Sequence, residues 1–411
     1  MWPHYLKPFA VFCVLSALCS SYADAQDATL PASTEETIKR GEYLFRAADC
    51  AGCHTAPNSS ELTGGRPFTL PFGTIFASNI TPDKQTGIGR YTDTEWLKML
   101  HEGVGKGGKH LYPVMPYTAY TLLNDKDALA IKSYLFTLTP RTIKAPENKL
   151  SFPFNQRWSL VFWNWLNNEN KRFVPAADKS AEWNRGAYLT EALGHCSQCH
   201  TPRTITYGLS KKAYAGTVQM GWYAYNLTSD RQHGLAGWSD AQLKSYLSTG
   251  YAKGTGSASG PMAEAVEHGL RFMTPEDIGA IITYLRSIPP QASGPIAQVM
   301  PAPPSQIDTE KHARGQKLFA QACSGCHLMD GQGRQSDWAA LAGGHSVSDP
   351  EAHNLIQVLL SGTSLMTEHG KVSMPSFTGA YTPDELAAVS NYVIAHFGGK
   401  LADVSSAEFK K

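Results

Sequence analysis

Several absences narrow the reading of this sequence. No run of about 18 or more apolar residues occurs in its 411 positions, so no segment reads as a membrane-spanning helix. Excess charge of one sign is missing too. Lys and Arg total 36 against 35 Asp and Glu, a net charge of +1, and phosphate binding needs a basic surface, so nucleic acid is not expected as a partner. No G-x-G-x-x-G fingerprint for a dinucleotide is present. The balance of 42% hydrophobic and 17% charged residues excludes a disordered chain and leaves room for two or three ordinary domains. Proline (25) and glycine (36) are plentiful, which points to loop-rich units with few long elements. Cysteine is scarce, eight residues, yet it decides the reading.

Lys7 is followed by an apolar run from Phe9 to Cys19 and then by Ala23-Asp24-Ala25-Gln26. A basic start, a short apolar stretch and an A-x-A end form a secretory signal, with cleavage expected after Ala25. Cys13 and Cys19 leave with it, and the remaining six fall in three copies of one pattern: Cys50-Ala51-Gly52-Cys53-His54, Cys196-Ser197-Gln198-Cys199-His200 and Cys323-Ser324-Gly325-Cys326-His327. C-x-x-C-H is the attachment pattern of a c-type haem. Two thiols one helical turn apart reach the two vinyl groups of one porphyrin, and the adjacent histidine points at the iron. A redox dithiol has no need of the histidine three times, a zinc site needs four ligands, and two cysteines this close rarely form a structural disulfide. The expected cofactors are therefore three covalently bound haems c, held by Cys50, Cys53 and His54, by Cys196, Cys199 and His200, and by Cys323, Cys326 and His327.

The flanks of the motifs repeat as well. Arg40-Gly41, Arg185-Gly186 and Arg314-Gly315 stand eight to ten residues before the first cysteine of each motif. A glycine inside a helix costs stability, so close approach of a second helix is expected there. That second helix is read at Asn124 to Leu138, Thr274 to Ile288 and Thr382 to Phe397, the last two with Thr-Pro-acid starts. A middle helix is expected from capping patterns at Thr92–Glu95, Ser239–Gln242 and Ser348–Glu351, each run ending at a glycine, Gly103, Gly250 or Gly362. Three helices around a haem is the cytochrome c plan, and the haem supplies apolar bulk that a unit of this size lacks. The fold class expected is mainly α, three tandem class I cytochrome c-like domains, each a small helical bundle around one haem.

Electron-carrying haem iron usually takes a second axial ligand, Met or His. Met115, Met262 and Met374, each beside a proline or in a Gly-Pro context, follow the haem histidines by 61, 62 and 47 residues. They are the expected partners of His54, His200 and His327 on iron. Met273, Met366 and His268 are the rivals, His195 is read as a surface or neighbouring group, and the other histidines as ordinary. An iron filled on both sides has no place for substrate, which favours electron relays over catalytic haems.

The boundaries expected are a signal at 1–25, a first domain at 26–145, an aromatic-rich segment at 146–177, a second domain at 178–290, a Pro-rich linker at 291–306, a third domain at 307–400 and a polar tail at 401–411. The aromatic segment carries Phe152, Phe154, Trp158, Phe162, Trp163, Trp165 and Phe173. It reads as packing between domains, or else as a docking face for a partner or the bilayer interface.

On the stretches Arg40 to His54, Ser78 to Gly89, Leu111 to Tyr117, Gly194 to Arg203, Gly221 to Ser239, Gly260 to Glu264 and Val372 to Pro375, the chain resembles the trihaem cytochrome c subunits of bacterial membrane-associated dehydrogenases for alcohols, aldehydes, gluconate, sorbitol and related sugars. The resemblance implies an electron-transfer subunit with no catalytic residues of its own. A large flavin- or pyrroloquinoline-quinone-dependent subunit, with a possible small third one, oxidises the substrate, and electrons pass to ubiquinone or a terminal oxidase. The location implied is the periplasm, peripherally on the outer face of the inner membrane. The competing classes are a free-standing multihaem redox enzyme and a soluble carrier.

Overall fold

The computed structural model describes residues 34–296, 309–334 and 336–410. The expected signal at 1–25 lies outside the described residues, as does most of the linker at 291–306.

Helix starts follow the capping side chains. The Thr34 hydroxyl accepts from Thr37 N and opens Glu35–Ala47, and the Ser180 hydroxyl accepts from Trp183 N and opens Ala181–Tyr188. Thr309–Ala322 is the matching entry helix of the third unit. The closing helices are Asp125–Leu135, Pro275–Arg286 and Pro383–Gly398, capped by Asn124, Thr274 and Thr382. Entry and closing helices cross at the repeated glycine. A Cβ on Gly41 would lie 1.9 Å from the Ala130 carbonyl oxygen, one on Gly186 1.8 Å from that of Ala280, and one on Gly315 2.2 Å from that of Ala388. No side chain fits those crossings, which gives the glycines the reason their helical position demanded.

In the second unit the entry helix widens into a π turn, Leu189–Leu193. Gly186 stands ten residues before Cys196, whereas Gly41 stands nine before Cys50. The wider turn takes up the extra residue and keeps the attachment turn in place.

Middle helices run Asp93–Glu102 and Asp240–Thr249, both with complete capping boxes, and His353–Ser361. The third does not start as its sequence suggested. Ser348 does not cap it, and Ala352, at φ 55°, occupies the cap position without a side-chain bond. The Asp349 carboxylate accepts from Glu351 N and His353 N instead, doing a cap's work from outside the helix.

The first two units share one apolar core, in which Leu44, Phe45, Trp96, Leu123 and Ile131 join Leu189, Leu193, Trp238, Ile278 and Ile281. The third has its own, built on Phe319, Ile356, Leu386, Tyr392 and Ile394. A small cluster of Ala258, Ala263, Val266 and Leu365 joins the second to the third. The expected polar tail is no free tail. Val404 N donates to Asn391 Oδ1, the turn Ser406–Phe409 follows, and Phe409 is buried in the third core.

The aromatic segment divides its residues between two faces. Leu160 is buried and Phe173 packs against the shared core. The helix Ser159–Asn167 turns Phe162 (65% exposed) and Trp165 (84% exposed) outward, beside exposed Phe152 and Trp158. Packing between the units thus accounts for Leu160 and Phe173, while Phe152, Trp158, Phe162 and Trp165 form an exposed aromatic face.

Candidate haem-attachment sites

Each C-x-x-C-H set sits on a short helical turn: Cys50–His54, Ser197–His200 with Cys196 as its cap, and Ser324–His327 with Cys323 as its cap. All six thiols are free. Burial, with Asp49 adding to it, pushes the Cys53 thiol up to about 12, burial and Glu191 hold Cys196 at about 12, and burial holds Cys323 at about 11. These thiols stay neutral, unlike the thiolates of a zinc site. Among the described residues no group of three or more His, Cys, Asp or Glu is arranged to hold a metal ion.

The three histidines share one constraint. Nδ1 of His54 lies 2.7 Å from the Ser78 carbonyl, that of His200 2.6 Å from the Tyr225 carbonyl and that of His327 2.6 Å from the Ala339 carbonyl. A carbonyl only accepts, so Nδ1 carries the proton and Nε2 is the nitrogen left for iron. Burial lowers the pKa of all three below the usual imidazole value and keeps them neutral, as an iron ligand must be. The donor set thus fits haem c: paired neutral thiols one turn apart and an oriented imidazole with its second nitrogen unengaged.

The three methionines occupy equivalent places, a regularity that the spacing from the histidines hid. Each middle helix ends at Gly103, Gly250 or Gly362 with φ of 66°, 79° and 70°. A short hairpin follows in each: 104–105 with 109–110, 251–252 with 256–257, and 363–367 with 370–374. Met115, Met262 and Met374 each stand twelve residues beyond that glycine. Met115 packs on the shared core and Met374 on the third core, while Met262, in the first turn of Gly260–His268, packs on the cluster between the second and third units. Of the rivals, Met273 also reaches the shared core, Met366 is exposed on a hairpin strand, and His268 ends the helix that Met262 begins.

His195 is half-buried. At φ 37°, just before Cys196, it faces Tyr120 of the first unit at 5.6 Å between ring centroids. Across the same boundary the Gln198 amide donates to the Thr118 hydroxyl at 3.2 Å, and Arg66, which donates to the Gly52 carbonyl of its own unit at 2.5 Å, donates to Glu264 at 2.6 Å. The first two attachment turns therefore meet at one seam. Asp49, at φ 47° just before Cys50, is half-buried there with one enclosed carboxylate oxygen unpartnered, and desolvation with Glu264 beside it raises its pKa to about 7.

The family described as Cytochrome c matches residues 38–139 and 312–395. The chain is 36% identical to the fructose dehydrogenase cytochrome subunit of Gluconobacter japonicus, over 93% of this chain and 84% of that one. This chain belongs to the cytochrome c subunits of bacterial membrane-associated dehydrogenases. It is also 33% identical to the gluconate 2-dehydrogenase cytochrome c subunit of Pantoea cypripedii (89% of this chain, 87% of that one) and 31% identical to the cytochrome c subunit of alcohol dehydrogenase (quinone) of Gluconobacter oxydans (97% and 85%). As a cytochrome subunit it binds haem c covalently and transfers electrons for a dehydrogenase complex, with substrate oxidation left to a partner subunit.

Proposed function

We propose that this cytochrome subunit carries three haems c, one on each C-x-x-C-H set, and that His54, His200 and His327 with Met115, Met262 and Met374 are the residues that would ligate the irons. Haem c supplies a one-electron iron couple. The chain fixes where each iron stands, and the carbonyls of Ser78, Tyr225 and Ala339 hold each imidazole in one tautomer and rotation. A methionine thioether as ligand would favour the ferrous state and raise the potential relative to two histidines.

The observation that carries this reading is the threefold recurrence of the imidazole–carbonyl bond together with the methionine twelve residues past a left-handed glycine. Electrons come from a flavin- or pyrroloquinoline-quinone-containing partner oxidising an alcohol, sugar or sugar acid, and a small third subunit accompanies it. They leave to ubiquinone or a terminal oxidase. The subunit is exported and sits peripherally on the outer face of the inner membrane. No helix of the described residues is long and apolar enough to cross a membrane, and the outward aromatic face of residues 152–166 supplies apolar surface for attachment.

Mass spectrometry of the native subunit tests the haem count, with three iron-porphyrin increments expected. Purification of the complex tests the partner. A chain with fewer increments, or one recovered without a flavin- or quinone-bearing subunit, contradicts the proposal.

A further inference from the structure

The seam between the first two units is closed by two copies of the same device, side by side, and the two copies are reciprocal. Arg40 of the first entry helix holds Asp127 of its own unit's closing helix, Nε to Oδ1 at 2.7 Å. Tyr188 of the second unit reaches across and donates to Asp127 Oδ2 at 2.8 Å, while its oxygen accepts from Asn124 N at 3.3 Å. One helical turn away Arg185 holds Asp277 of its own unit, Nε to Oδ1 at 2.8 Å. Tyr43 of the first unit donates to Asp277 Oδ2 at 2.5 Å and accepts from Thr274 N at 3.2 Å.

Every member has its counterpart. Both tyrosines stand three residues after the arginine, both acids stand three residues into the helix after the cap, and both hydroxyls accept from that cap's N–H. Burial works against ionisation of Asp277, but the Arg185 and Tyr43 hydrogen bonds overcome it and hold the carboxyl below its ordinary value. The third unit keeps the arginine and the acid, Arg314 and Glu385 at 3.7 Å, but has exposed Lys317 where the tyrosine belongs. It joins the second unit by other contacts.

We propose that Tyr43 and Tyr188 are positioning residues that fix the first two haems at one short separation, a reciprocal clasp from which the third haem is exempt. The attachment turns meet at the seam the clasp closes. Gln198 of the second attachment turn donates to Thr118 of the first unit, and Arg66 ties Gly52 of the first turn to Glu264 of the second unit. With both hydroxyls bonded, sliding or rotation of one entry helix against the other breaks two charge-assisted hydrogen bonds that stand one helical turn apart. The inference rests on the three-haem reading above.

The test uses the full haem-loaded chain as wild type, Tyr43→Phe, Tyr188→Phe and the double variant, with Lys317→Ala as a control. Mass spectrometry first counts the haems. A wild type without three increments overturns the three-haem reading and is thereby distinguished from failure of the clasp. Pulsed EPR on the three ferric centres then gives three pairwise distances. In the double variant the two distances that involve the first haem should lengthen and broaden, the second-to-third distance should stay, and electron exchange within the first pair should slow several-fold. Each single variant should show a smaller broadening, which keeps the test open where the double variant folds poorly. A lower melting midpoint with unchanged distances and exchange, in the double or in both singles, overturns the proposal.

Discussion

Trp238 of the second unit donates its indole N–H to Nε2 of His345 of the third, at 3.3 Å. Only a neutral imidazole can accept there. Tyr225 and Trp238 meet the ring edge-on, each at 5.2 Å between centroids, and burial holds the His345 pKa at about 4. In the unfolded chain the same group takes its proton near 6.5. Between those values the unfolded state binds more protons, so this contribution is complete above pH 6.5 and is lost as the pH falls towards 4, by about 3 kcal/mol at most. His345→Gln, which keeps an acceptor, should flatten that part of the melting curve against pH. A variant with the wild-type pH slope would refute the assignment.

The helix crossings predict opposite signs for one substitution at different glycines. Gly41→Ala and Gly186→Ala push a methyl into a carbonyl oxygen and should destabilise by at least about 1–3 kcal/mol. Gly279→Ala lies in the closing helix Pro275–Arg286, and its nearest foreign atom is Glu182 Oε1 at 3.9 Å. It should stabilise by about 0.5–1 kcal/mol. Denaturant melts of the three variants decide it, and a common sign would show that the crossings relax.

Replacing the proposed sulfur ligand of the third unit separates it from its rival. Met374→Ala should lower one haem potential and leave two unchanged in a redox titration. Met366→Ala, at an exposed strand position, should leave all three where they are. The reverse pattern would assign the iron to Met366.

Phe162 and Trp165 face outward on a helix whose surroundings, Trp158 to Asn168, contain no charged residue. Phe162→Glu with Trp165→Glu should weaken cosedimentation with anionic lipid vesicles at least tenfold and leave the haem spectrum unaltered. Undiminished sedimentation would show that this face meets something other than lipid.

Much of this arrangement is legible in the sequence because its determinants are local. A capping threonine three residues before an acid, or a glycine where two backbones touch, carries its own explanation, and Thr382, Gly41 and Gly186 all behave as read. Asp349 shows the limit. The capping pattern at Ser348 is intact, yet the carboxylate bonds His353 Nδ1 at 2.9 Å and the backbone around it, and the helix starts later. Phe409 was hidden for a different reason, since one aromatic in a polar stretch reveals nothing about a core built some ninety residues earlier. The Tyr43 and Tyr188 clasp is longer range still, joining positions 234 and 61 residues apart. Only the shared Arg-Gly-x-Tyr spelling hinted at it, and the Lys317 departure in the third copy was the available clue.

The strands beside the first two attachment turns have a bearing on how the row of units was assembled. In the first unit 67–70 pairs with 73–76, and 149–150 adds a third strand. In the second, 217–219 pairs with 222–224, and the Tyr223 backbone N–H donates to Asn354 Oδ1 of the third unit at 2.7 Å while Asn354 Nδ2 donates to the Tyr223 carbonyl at 3.0 Å. Each ribbon thus serves as a coupling to the segment that comes next. The described part of the third unit between His327 and its middle helix has no such ribbon, in keeping with only twelve residues between His327 and its carbonyl partner, against 24 and 25 in the others. Asn354 of the third unit receives the second unit's ribbon, so among the described residues the third unit is joined through its middle helix and not through a ribbon of its own.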